Sequence, residues 1–540
     1  MNTCDVAVVG AGSVGVAAAL AFARAGKHVV LLDPRPPAAT AGPAAAVADD
    51  DWDSRVFALS PASVSLLSSL GVWSRMDMQR VAPVHDMRLF HDQDGGSPQE
   101  SLRLDAWQGQ IEQLAFIVEG RHLQRALDQA ATDAAHTLRL QRVQGTVTAL
   151  SLPARAQGQP DAAGMFGCTG SAAGDTKHTQ TPATSRPQAA PSGRAAHAAP
   201  HASPVHAGSA HARSGTKAQR SGTHATGHAR RGAHGPSPEH AARLTLASGE
   251  VWQAGLVVAA DGARSALREM AGLEARFYDY GQTAVVANFN SALPTRDAAW
   301  QWFDADLGVM ALLPLTDIGR PAGQGRVSLV WSAPVEWAAA LQAMSPEALA
   351  AQVAHQSRGA LGELQCITPA AAFPLRSVSC PRVIAPGFVM IGDAAHVVHP
   401  MAGQGMNLGF GDVQALVDTL AQPVVGGYGH QASLAASAGA QASSGTGYPS
   451  RALAGAHAVS GRTPADPDVW RHGAPLWLAL RRYERARREP VATMQSLMLG
   501  LHHVFGPALP PPLAALRNLG WQAVGASGWL SRQLIQRAIR

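Results

Sequence analysis

The stretch Asp5-Val-Ala-Val-Val-Gly10-Ala-Gly12-Ser-Val-Gly15 decides the fold. It joins an apolar run to three glycines spaced as G-x-G-x-x-G, and an alanine-rich segment continues to about Ala25. A second apolar run, Val29–Asp33, ends in an acid. A strand, a glycine turn, a helix from about Ser13 and a second strand make a β-α-β unit. We therefore predict a parallel sheet with helices packed on it.

The glycine turn also predicts a ligand. Glycines allow a tight strand-to-helix connection and let backbone N–H groups approach a pyrophosphate at the positive end of the helix. An acid after the second strand is placed to accept hydrogen bonds from ribose hydroxyls. A turn of small residues can also serve packing alone, but the strand, helix and acid around it favour dinucleotide binding. We assign Gly10, Gly12, Gly15 and Asp33 to this site.

Two later strands also end in acids. Val257–Asp261 leads into Gly262, which taken alone could be an ordinary turn. Val389–Asp393, with Gly392 before the acid, leads to a loop that carries Gly403 and Gly405, and a helix is predicted from about Met406 to Leu420. Successive N–H groups at a helix start suit the electron-rich pyrimidine edge of a reduced flavin, because they stabilise its negative charge.

The remaining apolar patterns predict mostly strands in the middle of the chain. Helices are expected at Pro61–Leu70 and Arg121–Ala131, and the C-terminal region is helical, with an apolar stripe of Met494, Leu497, Met498, Leu501 and Phe505 and a start or kink at Pro490. The strands are expected at Gln141–Leu150 pairing with Arg243–Leu246, then at Val251–Ala260, Thr283–Asn290, Gly308–Leu315, Arg326–Trp331 and Phe388–Ile391.

Two low-complexity tracts interrupt this pattern, at residues 151–242 and 421–468. They hold too few large apolar residues to offset the entropy lost on ordering, so we predict disordered insertions. Nine histidines lie in the first tract, but their spacing is irregular and no Asp or Cys completes a ligand pattern. We therefore predict no metal site.

Composition excludes several classes of function. The net charge is +5, but the first tract alone holds nine Lys and Arg against three Asp and Glu, so the predicted folded body is close to neutral and no nucleic-acid partner is expected. Four scattered cysteines indicate a reducing compartment without disulfides. The uncharged runs Val6–Ala23 and Val491–Leu516 contain glycines or histidines and prolines, which makes them poor membrane spans. We expect a cytoplasmic protein, with peripheral contact to the inner membrane left open.

Taken together, the three glycine and acid motifs resemble the FAD-binding signature of the p-hydroxybenzoate hydroxylase-type flavin monooxygenases. Five further segments resemble the ubiquinone-biosynthesis hydroxylases within that superfamily. The resemblance covers about 400 residues and omits the two tracts. The five segments are Asp53–Leu59, Tyr280–Ala284, Ala311–Leu315, His399–Leu408 and Leu480–Arg488.

The resemblance implies an α/β fold: a Rossmann-like FAD-binding domain with an interleaved β-sheet substrate domain and a helical C-terminal region. The FAD-binding domain is expected in three segments, residues 1–150 (with some substrate-domain strands), 243–275 and 381–420. The insertions at 151–242 and 421–468 separate them, the substrate domain is expected at 276–380, and the helical region at 469–540.

It also implies roles for single residues. Arg55 and Arg121 are expected to approach FAD, Asp261 with Gly262 to support the cofactor and the use of nicotinamide, and Asp393 with Gly392 to bind the ribityl or pyrophosphate region. The loop residues Gly403, Gly405, Met406 and Asn407 are expected to cradle the isoalloxazine ring. For Arg55 and Arg121, surface ion-pair roles remain the alternative.

Candidate catalytic residues flank that loop. Pro400 matches the family proline on the substrate side of the flavin. His396 and His399 could be bases, but the family requires no histidine base, so positioning or packing roles are favoured over catalysis. One departure from the family is Trp302-Phe303, where many relatives carry Arg-Phe. It lies in the substrate-domain sheet and bears on which ring is bound.

The implied function is hydroxylation of a phenolic ring, and the implied substrate is a polyprenylphenol intermediate of ubiquinone biosynthesis. The implied cofactor is FAD, with NADH or NADPH and O2 as co-substrates, and the oxygen would be transferred through a flavin hydroperoxide. Other ubiquinone-biosynthesis proteins are candidate partners. Two alternatives stay open: a soluble aromatic-acid or polyketide hydroxylase of the same superfamily, and a catalytically silent, flavin-bearing scaffold. A plain NAD dehydrogenase would leave Asp393 and the Gly403–Asn407 loop without a purpose.

Overall fold

The opening motif forms the predicted β-α-β unit in the computed structural model, which describes residues 1–36, 51–91, 99–154, 240–399, 403–422 and 473–504. The described residues fall in one unit built from residues 1–157 and 235–540. The strands are β1 (Asn2–Val9), β2 (Val29–Asp33), β3 (Val56–Leu59), β4 (Ala82–Val84), β5 (Asp86–His91), β6 (Gln99–Asp105), β7 (Ala115–Glu119), β8 (Leu140–Gln144), β9 (Val147–Ser151), β10 (Ala242–Leu246), β11 (Val251–Ala259), β12 (Arg276–Ser291), β13 (Ala298–Asp304), β14 (Gly308–Leu315), β15 (Gly325–Pro334), β16 (Leu364–Cys366), β17 (Ala371–Ser379), β18 (Ile384–Ala385), β19 (Phe388–Met390) and β20 (His396–Val397). The helices are α1 (Ser13–Arg24), α2 (Pro61–Ser69), α3 (Ala106–Gly109), α4 (Gly120–Thr137), α5 (Ala266–Met270), α6 (Val335–Ala343), α7 (Pro346–Gln356), α8 (Gln404–Ala421) and α9 (Gly473–Val504).

The first sheet has eight strands and carries the three acid-ending motifs. Its path runs β18-β19-β11-β1-β2-β8, and the pairings from β19 to β8 are all parallel. The central strands β2, β11 and β19, and β1 from Val6 on, are mostly apolar because both faces of the sheet are covered there. Residues of α1, α4, α8 and α9 pack on one face, and β9, β10 and α5 contribute to the core on the other.

One predicted strand is wrong. Gln141–Leu150 is expected to be continuous, but it divides at Gly145 into β8, which is parallel to β2, and β9, which pairs antiparallel with β10. The Gly145 N–H donates to Asp33 O at 3.0 Å, and a Cβ at Gly145 would lie 3.0 Å from Leu246 Cδ1. A side chain would crowd Leu246, so glycine suits the point where the chain changes partners.

The second sheet has nine strands, in the order β20-β17-β12-β15-β14-β13-β5-β6, with β16 beside β12. Helices α6 and α7 cover one face of it. Trp302, the departure from the family pattern, is buried in this core and stacks on Phe90 with ring centroids 5.2 Å apart. A third, small sheet, β3-β7-β4, is formed by three short strands within residues 56–119.

Helix α9 runs through Pro490, so that proline neither begins nor ends it. Of the predicted apolar stripe, Met498 is buried against Val398 and Leu408, and Met494 packs beside it, whereas Leu497 is exposed. Leu501 lies in the helix without a described side chain, and Phe505 lies outside the described residues. Within the described ranges, no helix is long and apolar enough to cross a membrane.

The predicted fold class, a Rossmann-like α/β domain with an interleaved sheet and a C-terminal helix, is confirmed. The domain boundaries stay a prediction. Most of both low-complexity tracts, with residues 155–239 and 423–472, lies outside the described residues.

Trp331 tests the core of the second sheet. It is fully buried in β15, and its indole N–H donates to Leu307 O at 2.8 Å. Trp331→Ala should lower the free energy of unfolding by about 3–5 kcal/mol because it leaves a cavity. Trp331→Phe should cost about 1–3 kcal/mol, since the Leu307 carbonyl loses its donor. Denaturant titration measures both values.

The matched control is Trp107→Ala, because Trp107 is 87% exposed. Its change should stay within about 0.5 kcal/mol. Equal losses for Trp107→Ala and Trp331→Ala would contradict the packing described for this sheet.

Candidate cofactor site

The glycine turn is held by backbone contacts that leave no room for side chains. Gly10 has φ +104°, and a Cβ there would lie 2.3 Å from Ala260 O. A Cβ at Gly15 would lie 1.9 Å from Gly10 O. By contrast, a Cβ at Gly12 would meet nothing within 4 Å, so the space beside the turn is open. Helix α1 therefore begins directly at the end of β1, beside β11.

The start of α1 is a suitable site for an anion. Gly12 is its N-cap residue, and no side chain caps the helix. Gln124 of α4 braces the turn: its amide donates to Ala11 O at 3.1 Å and accepts from Ser13 Oγ at 3.0 Å. Arg121 lies one helical turn before Gln124, which places the predicted arginine on the side of α4 that faces the glycine turn.

Asp33 ends β2 as predicted, but its oxygens already have partners. Oδ2 accepts from the N–H of Ala11 at 2.6 Å, and Oδ1 accepts from the Arg35 N–H and Nε at 2.8 and 3.0 Å. Burial alone would raise the pKa of Asp33, but the hydrogen bonds from Arg35 and Ala11 outweigh it and lower the pKa. The Arg35 side chain is 72% exposed, so it can move aside for a ribose.

Asp261 and Gly262 follow β11 at the same edge. Asp261 Oδ2 accepts from the N–H of Leu267 at 3.2 Å, while its Oδ1 is buried without a hydrogen-bond partner among the described residues. Gly262 has φ +85° and open space where a Cβ would stand. Buried Arg268 donates to Ala394 O at 3.0 Å and to Ala263 O at 3.1 Å, and so ties this turn to the next one.

The Gly392–Ala394 turn follows β19 and presents Asp393 at its middle. Val14 of α1 packs closely on Gly392 and Gly409, which brings the starts of α1 and α8 together. Desolvation by neighbouring atoms raises the pKa of Asp393 even though the residue is in contact with solvent, and the charges of His396 and Arg55 oppose that rise. The predicted Arg55 therefore lies within electrostatic reach of the predicted Asp393.

Helix α8 begins with Gly403 in the left-handed region, at φ +62°, and again no side chain caps the helix. A Cβ at Gly405 would meet nothing within 4 Å, as expected of a residue beside a ligand. Met406 packs on the core. Asn407 is used internally: its Oδ1 accepts from Ser60 N and Ser63 Oγ, and its Nδ2 donates to Ala58 O. Its amide fixes the loop and leaves N–H groups of the helix start for the ligand.

Asp53, whose role the sequence did not reveal, organises both predicted arginines. Its Oδ2 accepts from the Arg121 N–H at 2.8 Å and its Oδ1 from the Arg55 N–H at 3.1 Å. The Arg121 guanidinium pairs with Asp51 at 2.9 Å, and that of Arg55 lies over the rings of Phe57 and Phe373. The backbones of both arginines are thus held by Asp53, and their contact with a cofactor stays a prediction.

The two candidate histidines have different surroundings. His399 is fully buried, its Nε2 lies 3.1 Å from Gln282 Oε1, and its ring meets Tyr280 edge to face at 4.7 Å. His396 points to Asp412, with Nε2 2.7 Å from Oδ2. These contacts favour positioning roles for both histidines. Pro400 lies outside the described residues.

The residues fit a long dinucleotide such as FAD. Neighbouring parallel strands deliver Gly10, Asp33, Asp261 and Asp393 to one edge of the sheet, because their carboxyl ends coincide there. Two uncapped helix starts open on this edge, with space above Gly12, Gly262 and Gly405. N–H donors for a diphosphate and for an electron-rich ring, with acids for hydroxyl groups, make up the donor set that FAD requires.

Four residues of this region have roles that the sequence pattern did not predict: Gln124, Asp53, Arg268 and Asp412. Asp412 left a readable signal, because a lone acid among Leu408, Phe410, Val413 and Leu416 on a helix predicts a buried ion pair. The others gave no signal in the sequence, since their partners are backbone atoms or residues far away in the chain.

Gly15→Ala tests the glycine turn. Because the new methyl group would overlap Gly10 O, the turn must open and the helix start must move away from the ligand. We expect the purified variant to retain less than about a tenth of the bound flavin absorbance, in line with loss of a pyrophosphate site. Absorbance at about 450 nm after reconstitution, where bound flavin absorbs, measures this.

The control is Gly500→Ala on α9, where a Cβ meets nothing within 4 Å. That change should leave flavin content unaltered and stabilise the helix by up to about 1 kcal/mol. Full flavin retention by Gly15→Ala would rule out the assigned turn.

Comparisons with known proteins agree with this geometry. Residues 5–165 match the model of an FAD dependent oxidoreductase family, and residues 194–441 match that of an FAD binding domain family. The chain is 28% identical to 3-demethoxyubiquinol 3-hydroxylase of Escherichia coli over 99% of this chain and 98% of that protein. It is 30% identical to ubiquinone hydroxylase UbiL of Rhodospirillum rubrum over 55% of this chain and 56% of that protein.

A solved structure shows the same fold. Pseudomonas aeruginosa PqsL, in complex with 2-aminobenzoylacetate, superposes with a TM-score of 0.58 over 96% of this chain and 99% of that one, at 17% identity. Sequence relatives, family models and fold therefore converge on one group. The chain is similar to the ubiquinone-biosynthesis FAD-dependent hydroxylases, it fits the flavin monooxygenase superfamily, and it is an FAD-dependent monooxygenase.

Proposed function

We propose that this enzyme hydroxylates the phenolic ring of a polyprenylphenol intermediate of ubiquinone biosynthesis. The observation that carries the proposal is the pair of uncapped helix starts, α1 and α8, brought together at one sheet edge by Val14. The overall reaction is phenol, O2, NAD(P)H and H⁺ giving the hydroxylated ring, water and NAD(P)⁺. Bound FAD would supply hydride acceptance and activation of O2 for the transfer of one oxygen atom.

The protein residues bind and orient. N–H groups at the start of α1 would hold the pyrophosphate, and those at the start of α8 would stabilise negative charge on the reduced ring. Asn407 keeps the α8 start in place by bonding to Ala58 and Ser60. Because these groups are fixed before the ligand arrives, no reorganisation is needed when charge develops.

The substrate side lies where β12 and the loop after β20 meet. His399, one residue before Pro400, is hydrogen-bonded to Gln282 and meets the Tyr280 ring edge to face, so the three side chains form one cluster. Burial raises the pKa of the Tyr280 phenol, which a side-chain hydrogen bond involving Ser377 partly opposes, so it stays neutral at physiological pH. A neutral, largely dry wall suits a phenol and excludes the water that would waste the activated oxygen.

Charge favours the prenylated phenol over an aromatic acid. A carboxylate substrate needs a cation beside its ring, whereas the guanidinium of Arg55 lies over Phe57 and Phe373, on the Asp393 side. Tyr280 and Gln282 are neutral. A soluble aromatic-acid or polyketide hydroxylase remains the runner-up. A silent, flavin-bearing scaffold would share the same donor set, so turnover of a phenol separates it from an enzyme.

A prenylated substrate partitions into lipid, so we propose that the enzyme meets it at a membrane surface, alongside other ubiquinone-biosynthesis proteins. The Gln495 amide of α9 donates to Val378 O of β17, which pairs with Phe277 of β12. Apolar surface near this contact comes from the exposed side chains of Phe277, Leu497 and Leu499.

The first test uses the reconstituted protein. Anaerobic NADH or NADPH should bleach the flavin, and in air a polyprenylphenol should yield one hydroxyl group for each NAD(P)H consumed. A matched phenol without the tail should couple poorly and release H2O2. Mass spectrometry and peroxide assay measure both products.

Three results would reject different elements of this assignment. A preparation that stays colourless after reconstitution rejects the cofactor. NAD(P)H oxidation that no phenol changes indicates the silent scaffold, and faster turnover of an aromatic acid indicates the soluble hydroxylase. The quinone intermediate that accumulates in cells lacking the protein would identify the ring position.

His399→Gln separates positioning from base catalysis. If His399 positions the loop before Pro400, hydroxylation should fall by up to about a hundredfold, as for a misplaced group, while the shape of the pH–rate profile stays unchanged. Gln282→Leu removes the same hydrogen bond and should reproduce the effect. Loss of one limb of the pH profile in His399→Gln alone would instead assign it as the base.

A further inference from the structure

The helix α9 sends one charged side chain into the interior behind the cofactor site. Arg487 Nε donates to Asp412 Oδ1 at 2.6 Å, and its Nη2 donates to Leu408 O at 3.0 Å. Asp412 is fully buried, and its Oδ2 accepts from the Gly392 N–H at 2.8 Å and lies 2.7 Å from His396 Nε2. One carboxylate therefore joins α8, α9 and the turn that carries Asp393.

The buried carboxylate of this cluster is paired with a cation. Burial alone would raise the pKa of Asp412, but His396, Arg487 and the Gly392 N–H outweigh it, and the pKa is lowered. A buried carboxylate without a cation is costly, whereas one paired with an arginine is neutral as a pair. Arg487 is the permanent cation here, because a guanidinium does not lose its proton in proteins.

The same helix holds the adjacent strand. The Tyr483 hydroxyl donates to Met390 O at 3.3 Å, and Glu484 accepts from the Val383 N–H at 3.2 Å. The first contact reaches the end of β19, just before Gly392, and the second reaches the residue before β18, the strand that pairs with β19. The position of the Asp393 turn thus depends on a helix that contributes no predicted cofactor contact.

We propose that Arg487 is a positioning residue for the cofactor: through Asp412 it fixes the Gly392–His396 segment, and His396 is the reserve cation that takes over when Arg487 is absent. The inference rests on the proposed cofactor. His396 can act in this way because its Nε2 lies 2.7 Å from Asp412 Oδ2, and a carboxylate without another cation favours the protonated imidazole.

The surroundings of His396 leave no other substitute for that cation among the described residues. Arg268 reaches the segment, but its guanidinium is bonded to Ala394 O and Ala263 O rather than to Asp412. Arg55 lies on the Asp393 side. His396 itself faces the carboxylates of Asp412 and Asp393, while Arg487 is bonded to Asp412 and Arg268 to the Ala394 carbonyl of the same segment.

The test is Arg487→Gln, with FAD affinity measured by flavin fluorescence from pH 6 to 8.5. The wild type should show little pH dependence. In the variant, protonated His396 should preserve binding at pH 6. The affinity for FAD should then fall as the pH rises and His396 loses its proton. The expected slope is about tenfold per pH unit, because one proton is linked to binding.

The direction of this pH dependence follows from linkage. A histidine whose charged form is stabilised in the folded state contributes below its unfolded pKa and loses that contribution as pH rises through the folded pKa. The thermal midpoint of the apoprotein should therefore fall with rising pH in Arg487→Gln more steeply than in the wild type. This readout does not depend on FAD.

Three further variants complete the design. Arg485→Gln removes an exposed charge from the same helix and should behave as wild type. Arg487→Lys keeps the cation and should weaken FAD equally at every pH. The double variant Arg487→Gln/His396→Gln should lose the recovery at pH 6.

The inference fails if Arg487→Gln binds FAD with the same affinity at every pH, or if it folds at no pH between 6 and 8.5, because His396 then does not replace the lost cation. It also fails if the double variant keeps the pH 6 recovery. A wild type that binds no FAD would refute the proposed function instead, so the two failures are distinguishable.

Discussion

Close contact between backbone atoms at Gly10 and Gly15 is the constraint on which the cofactor site depends. A helix packed on a parallel sheet normally stands off by the width of its side chains. Here the first turn of α1 rests on the carbonyl of Gly10 itself, since a Cβ at Gly15 would lie 1.9 Å from that oxygen. The helix start is thereby placed at the end of β1, where its N–H groups face the open edge of the sheet.

A second layer of contacts holds this edge. Val14, in the first turn of α1, packs on Gly392 and Gly409, so α8 is positioned by the same turn that is proposed to hold the phosphates. Asn407 then ties α8 to β3 and α2. The helix starts at the two ends of an extended coenzyme are therefore coupled by packing, and a change at one should be felt at the other.

The fold could be predicted largely because its signals are local. Glycine spacing, apolar runs ending in acids, and the helical stripe each lie within about thirty residues, and the structure reproduces β1, α1, β2, β11 and α8 closely. The break at Gly145 could not be predicted, because the pattern on both sides is that of one strand and only the partner strands differ. Pairing choices of this kind depend on distant residues.

The sequence predicts which backbone N–H groups the site offers, but it does not predict which residues the side chains of the site contact. Asn407 is expected at the flavin from its motif, yet its amide is used on Ser60, Ser63 and Ala58, residues about 350 positions away in sequence. Asp53 lies in a motif that gives it no individual role, although its carboxylate accepts from the backbone of both Arg55 and Arg121. Such roles depend on tertiary contacts that spacing alone does not encode.

Asp53 also shows how the cofactor and substrate sheets are coupled. Its side chain caps the start of α4 beside the glycine turn, while its carbonyl accepts from the Asn288 amide of β12 at 2.9 Å. Asn288 is fully buried in the substrate sheet. The loop that carries Arg55 is thus fixed from both sides, so a shift of β12 would move an arginine near the cofactor edge. A single hydrogen-bonded residue therefore links the sheet proposed to hold the ring to the acids proposed to hold FAD.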